Sequence, residues 1–365
     1  MKHRRHLPRI LPLIFCFLAL GSPGQRFAAA ADQIKIERVL GPEIKTGAYK
    51  HPACFDELRN GDLYLVFFSG KGEYNDDTAA VFGSRLKQGA DRWSSPEPIA
   101  RDPFHSLGNP VIWQAPDGLV WLFYVARYGT HWADSRIAGK ISRDGARTWS
   151  DSFMVASEEG MMVRAHPIVL HSGDFLLPIY HEVGRDPEKV DAQCASLFLR
   201  FDPATKLWRP SNRVRSRLGN IQPAVVETAP DQLVAFCRRG GDYAGRPDGW
   251  LVRTESRDGG RTWSEGSDSE FPNPNAAADF VKLKNGHLLL VYNNSFTNRT
   301  PLTVAISTDN AKTFPYRRDI AQGPGDFAYP TAVQSRDGRI HLVYTSDERT
   351  VIRHAVFPED AVLRN

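Results

Sequence analysis

With 365 residues, 41% of them apolar, the chain can build one large core or two ordinary ones, so length leaves the domain count open. Twenty Phe, eleven Tyr and eight Trp beside 29 Gly and 25 Pro favour short strands and many turns over long helices. The formal net charge of +4, part of it in an N-terminal cluster, is too small for the basic footprint of a nucleic-acid-binding protein.

Lys2, Arg4, Arg5 and Arg9 precede an apolar run from Ile10 to Leu20 and then four alanines, Ala28 to Ala31. This is the layout of a secretory signal peptide over residues 1–31, which predicts a mature domain over 32–365 in a secreted or periplasmic setting. The apolar run is too short to span a bilayer and no second one follows, so no transmembrane segment is expected in the mature chain. Cys16 leaves with the leader, and the odd set Cys54, Cys194 and Cys237 allows at most one disulfide. No CxxC, HExxH or clustered His/Cys spacing is present, so neither a metal site nor a cofactor is expected.

After the leader, QIKIERVL reads as a strand, and VIRHAVF near the other end reads as another that could share one sheet with it. Between them two periodic series run along the chain. The first is a turn before an apolar run, with second turn residues at Gly61, Gly118, Gly173, Asp231, Gly286 and Gly338, at intervals of 57, 55, 58, 55 and 52. Each turn predicts a two-residue type I′ hairpin, where both central residues need positive φ. The second series is SxDxGxTW with one residue of slack: Ser142 to Trp149, Ser256 to Trp263, a weaker copy from Ser307 to Phe314, and eroded copies ending at Trp93 and Trp208. Its aromatics are spaced by 56, 59, 55 and 51. The chemistry suits a hairpin between the third and fourth strands of a sheet: Asp and Gly turn the chain, Ser and Thr bond the backbone, and the aromatic packs against a neighbouring sheet.

Four short strands in each of about six periods predict an all-β, six-bladed β-propeller, whose closed ring protects sheet edges. A seven-bladed ring or an open solenoid fits the same period.

The repeated SxDxGxTW resembles the Asp-box of the sialidase (neuraminidase) superfamily of six-bladed propellers. HPACFDELRNGDLYLVFFSG, FPNPNAAAD, LLLVYNNSFTNRTPLTVAIS and FAYPTAVQSRDGRIHLVYT are similar to sialidase-like proteins with BNR repeats. The likeness covers almost the whole mature chain, but Asp-boxes also occur in non-catalytic propellers, so function must come from the site. The resemblance implies three arginines for a sugar carboxylate, a tyrosine nucleophile paired with a glutamate, and an aspartate acid/base. Arg suits the first role through its planar fork. A neutral Tyr suits the second because an anionic sugar repels a carboxylate.

On this sequence Tyr329, just before the last hairpin turn, matches the nucleophile, and Arg238 and Arg299 match two of the arginines. Asp77 or Asp76, in GKGEYNDDTAAVF, matches the acid/base. Two positions depart from the pattern: His51 stands where the first Arg is expected and Gln222 where the glutamate is expected, with Glu227 five residues further on. A phenol without a base and with an ordinary pKa near 10 is a poor nucleophile. Asn109, Arg164, His166, His181, Glu182, Asn273 and Asn275 are further polar residues at or near inner-strand positions, four of the repeats placing a polar residue next to Pro, and they suggest a polar pocket at one end of the axis. There His51, His166 and His181 would titrate near neutrality. The expected activity is exo-hydrolysis of a terminal acidic sugar from a glycan, sialic acid by default. Two alternatives stand beside it: a hydrolase or lyase for another acidic glycan using His and Tyr, and a non-catalytic carbohydrate-binding propeller.

Overall fold

The turn-and-run periodicity becomes six four-stranded antiparallel sheets in the computed structural model, which describes residues 34–73, 79–187 and 189–364. From the axis outward, blade 1 comprises Tyr49–Glu57, Leu63–Gly70, Ala80–Leu86 and Glu97–Ala100, and blade 2 comprises Ser106–Gln114, Val120–Arg127, Ser135–Ser142 and Phe153–Ala156. Blade 3 has a broken inner strand, Met161–Val163 and Ile168–Val169, followed by Phe175–His181, Ala195–Asp202 and Leu207–Pro210. Blade 4 runs through Asn220–Ala229, Gln232–Arg239, Trp250–Ser256 and Ser267–Pro272, and blade 5 through Asp279–Lys282, Leu288–Asn293, Leu302–Ser307 and Tyr316–Ala321. Blade 6 takes Ala328–Gln334, Ile340–Ser346 and Val351–Phe357 from one end of the chain and Lys35–Leu40 from the other, pairing Ile36 with Ala355. The two terminal strands therefore share one sheet, as their sequences suggested. The inner strands of blades 1 and 6 are neighbours, which closes the ring.

The first hairpins differ from the predicted type I′ turns. In five of them the glycine alone has positive φ, 85° at Gly61 and 92° at Gly118 for instance, and its N–H returns to a carbonyl three residues back, Gly61 to Leu58 and Gly118 to Ala115. Three-residue loops with a type I turn and a left-handed glycine produce this pattern. At the sixth, Pro230 cannot reach positive φ and Asp231 carries it at 63°.

The three clear SxDxGxTW copies close the third and fourth strands of blades 2, 4 and 5. In the first, Asp144 Oδ1 accepts from the Thr148 N–H (2.9 Å) and the Ser142 hydroxyl (2.8 Å), while Oδ2 accepts from the Thr148 hydroxyl (2.6 Å). Asp258 and Asp309 repeat these bonds. The aromatic ending each copy packs on the preceding blade. Trp93 meets His354, Trp149 meets Tyr64, Trp208 meets Trp121 and Phe123, Trp263 stacks on Phe198 at 3.8 Å, and Phe314 lies against Phe236 and Phe271. Five of the six seams are thus zipped by one repeated residue.

On the same face, inner-strand ends grip backbone N–H groups of the preceding blade. Glu57 accepts from Arg336, Glu227 from His171, and Gln334 from Lys284. Cys54, Cys194 and Cys237 are buried free thiols.

Candidate active site

Four inner strands carry an X-Pro pair at the same level: His51-Pro52, Asn109-Pro110, Gln222-Pro223 and Tyr329-Pro330. Proline has no N–H to give the ladder, so the register slips at each pair, between Lys50 and Ala53, Gly108 and Val111, Ile221 and Ala224, and Ala328 and Thr331. Asn109, Gln222 and Tyr329 adopt φ of 44°, 54° and 53°, as does Asn275 of blade 5 at 57°. Left-handed non-glycine residues at one level of one fold mark a site where backbone strain is held in place by its surroundings. In blade 3 the ladder stops after Val163, and Arg164 takes the corresponding place.

These residues converge. Arg238, from the second strand of blade 4, donates through Nη1 to the Tyr329 phenol oxygen (2.9 Å) and to Gln222 Oε1 (3.2 Å). Its Nε donates to Asn275 Oδ1 (2.6 Å) and its Nη2 to the Tyr243 hydroxyl (3.1 Å). Gln222 Nε2 donates to the same Tyr329 oxygen at 3.3 Å, and Asn109 donates to the Tyr180 hydroxyl at 3.1 Å. The Arg299 guanidinium lies 5.6 Å from the centroid of the Tyr329 ring and donates to the Asn275 carbonyl. The ring of His51 meets that of Tyr329 edge-on at 4.1 Å. Tyr329 is thus the common wall of two cavities. One is lined by His51, Asn109, Tyr180, Glu182, Gln222 and Arg238. The other, of about 330 Å³, is lined by Arg299, Arg349, Tyr243 and Asp326, and Glu73 borders both.

Burial alone would push the Tyr329 phenol up, but Arg238, Arg299 and Arg349 more than offset it, and the phenol lies below the usual tyrosine value. The Gln222 amide adds a donor where a carboxylate would accept. Tyr329 is therefore activated by positive surroundings, and among the described residues no carboxylate hydrogen-bonds its phenol oxygen. Burial raises the Glu182 carboxyl to about 7, against the pull of Arg238, so it titrates near neutrality.

Arg349 and Glu73 are among the site residues that carried no sequence signal. Arg349 lies in a turn where Asp347, Glu348 and Arg349 have φ of 53°, 54° and 64°, three successive left-handed residues inside an ordinary polar stretch. It pairs with Glu73, which also accepts from the Tyr49 hydroxyl (3.0 Å) and Trp132 Nε1 (3.2 Å). Arg349 thus brings a second guanidinium to the cavity that Arg299 lines, and a third to the surroundings of Tyr329, from blade 6 rather than from the His51 position.

Some expected residues lie elsewhere. His166 is further along its strand, 3.2 Å from Cys54 Sγ, and lines the cavity at the opposite mouth of the axis. Arg164 stands between the two mouths, crossing from blade 3 to the carbonyls of Tyr329 and Pro330 and the Thr331 hydroxyl in blade 6. Two carboxylates of the opposite cavity are structural: both oxygens of Asp56 and of Asp279 hold backbone N–H groups, including Gln114 and Ala332 of the next blade. Glu227 belongs to the interblade latches on that side, and His181 lies near Glu158. The three histidines form no cluster that titrates near neutrality. Burial, reinforced by arginine charge, pulls His51 well down and His166 to about 4. Asn273 caps a turn at Ala276. Asp76 and Asp77 fall outside the described residues, as does the 1–31 leader.

A family model, the BNR repeat-like domain, matches residues 61–342. No curated protein matches the sequence. Among solved structures the chain is similar to the Hadza microbial sialidase Hz136 (16% identity, 90% of this chain and 69% of that one, TM-score 0.75). It is also similar to a protein of unknown function from Dyadobacter fermentans (18%, 88% and 98%, 0.72) and to the intramolecular trans-sialidase of Ruminococcus gnavus (14%, 89% and 97%, 0.71). At these identities the likeness is one of fold. The chain belongs to the BNR repeat-like family and is a sialidase-like six-bladed propeller.

Proposed function

We propose that this chain is an exported, exo-acting glycoside hydrolase that removes a terminal acidic sugar from a glycan. The observation that carries the reading is the environment of the Tyr329 oxygen, which takes hydrogen bonds from Arg238 and Gln222 beside two further guanidiniums. Such a phenol, ionised with its proton lost to solvent, is a nucleophile for a sugar that is itself anionic. The phenolate oxygen bonds to the anomeric carbon as the bond to the protonated aglycone oxygen breaks, and water then displaces the phenolate from the tyrosyl ether, its proton passing to the carboxylate that protonated the aglycone. Asp77 or Asp76 supplies the proton to the leaving oxygen, with Glu182 the other carboxyl suited to that task. Arg299 and Arg349, with Arg238 behind them, receive the sugar's carboxylate.

Purified protein is to be tested on chromogenic glycosides of acidic sugars, an α-sialoside first. Turnover abolished in Tyr329→Phe is the expected result. Normal turnover in that variant would remove the phenol from the mechanism. An unsaturated product absorbing in the near ultraviolet would replace hydrolysis with elimination, and binding without turnover of any acidic glycoside would make the propeller a lectin.

A further inference from the structure

Two cavity-lining side chains, each more than nine-tenths buried, present a polar atom without a hydrogen-bond partner among the described residues: His51 Nε2 and Arg299 Nη1. They are opposite in kind. The Thr345 hydroxyl lies 3.1 Å from the Ala328 carbonyl, which can only accept, and 2.7 Å from His51 Nδ1. With the hydroxyl's one proton on the Ala328 side its oxygen accepts from Nδ1, and in that tautomer of the neutral ring Nε2 is a bare lone pair. Burial, and then the charges of Arg349, Arg299, Arg164 and Arg238, oppose a second proton. Arg299 Nη1 is a pure donor. Arg238 has little left to offer, because four of its five N–H groups already serve Asn275, Gln222, Tyr329 and Tyr243.

A ligand that satisfies both atoms brings a hydroxyl to His51 and an anionic oxygen to Arg299, on opposite sides of Tyr329. A carboxylate oxygen at Nε2 would set lone pair against lone pair. In a sialic acid the carboxylate sits on the anomeric carbon itself, beside the nucleophile. In a hexuronic acid the anomeric carbon carries hydrogen, and the carboxylate at C5 and the hydroxyl at C2 lie on either side of the anomeric carbon and ring oxygen. We propose that His51 is a specificity-determining residue that selects a terminal hexuronic acid, the C2 hydroxyl donating to His51 Nε2 while Arg299 and Arg349 hold the C5 carboxylate. The inference rests on the site reading given above and narrows its substrate.

The test compares both anomers of 4-nitrophenyl glucuronide and galacturonide with a 4-nitrophenyl α-sialoside. Calorimetric binding of free glucuronic, galacturonic and N-acetylneuraminic acid runs alongside, so that selectivity is read whether or not turnover occurs. The expected result is a preference for at least one hexuronic acid of about a hundredfold in kcat/KM, or tenfold or more in affinity, the scale of a buried hydrogen-bonding group left unpaired. His51→Arg should reverse the ratio toward the sialoside. His51→Leu, which adds no charge, should lower hexuronate binding about tenfold and leave sialate binding unchanged. A wild-type preference for the sialoside, equal binding of all three acids, binding of none, or a ratio unmoved in a folded His51 variant would overturn the assignment. Selective hexuronate binding with no hydrolysis would uphold His51 and discard the hydrolase.

Discussion

At the scale of the residue, the site turns on an amide that faces the Tyr329 phenol. Gln222 cannot take a proton from Tyr329; it donates to the phenol oxygen instead, and Arg238 does the same. If the phenolate is the nucleophile, kcat/KM rises as pH climbs through the Tyr329 pKa, and that limb lies below the usual tyrosine range because three guanidiniums favour the ionised form. Gln222→Glu places a negative charge beside the phenolate and should move the limb upward by about one to three pH units. A pH profile with an unmoved limb would show that Tyr329 does not titrate in catalysis. The proton for the leaving group is assigned by the opposite limb. Asp77→Asn, Asp76→Asn and Glu182→Gln should be compared on substrates with good and poor leaving groups. The true acid is the one whose loss costs about 10²–10⁴-fold on the poor leaving group and little on the good one.

At the scale of the element, the SxDxGxTW hairpins hold the blades and take no part in the site, being turns between third and fourth strands. Asp258 binds three groups through one oxygen and a hydroxyl through the other, so Asp258→Ala should cost about 1–2 kcal/mol. Trp263 fills the seam to blade 3 against Phe198, and Trp263→Ala should cost about 3–5 kcal/mol. Denaturant titration measures both, and kcat of the folded variants should be unchanged. Thr148 and Thr313 hold Asp144 and Asp309 below the usual carboxylate range. Their folded pKa is the lower one, so their contribution is present above about pH 4 and is lost as the pH falls through the folded values. These elements were legible in the sequence because a periodic fold prints its turns and seam aromatics once per blade. His51, Asn109, Gln222 and Tyr329 stood out for the same reason, since each precedes a proline at a repeated level, whereas Arg238, on a second strand, and Arg299, in a loop, were picked out by the family resemblance. Arg349 was not, because its position depends on three left-handed residues in a turn without glycine, and no local pattern announces them. His166 misled: it precedes a proline as the others do, but its strand breaks two residues earlier and Arg164 takes the axial place.

At the scale of the whole molecule, the ring is closed by hydrogen bonds between its ends, and the site lies beside the closure. Lys35–Leu40 is the outer strand of blade 6, paired along Val351–Phe357, and that sheet also supplies Tyr329, Thr345 and Arg349. Across the seam, Lys50 of blade 1 donates its N–H to the Arg349 carbonyl, and His51 follows next in the chain with its Nδ1 on Thr345. A mature chain beginning at Gly41 would leave Val351–Phe357 as an unpaired edge, open to another molecule's strand. It would also loosen the relation of blade 6 to blade 1, the relation that sets His51 against Tyr329. Two outcomes are expected: concentration-dependent association in sedimentation velocity, and a loss of kcat larger than the loss of folded protein measured by circular dichroism. A synthetic peptide of residues 34–41 added in trans should reverse both, because it restores the missing strand without changing any group in the site. If the shortened chain stayed monomeric with full kcat, ring closure at blade 6 would be irrelevant to the geometry around Tyr329, and the constellation would have to be held by the inner strands and Arg164 alone.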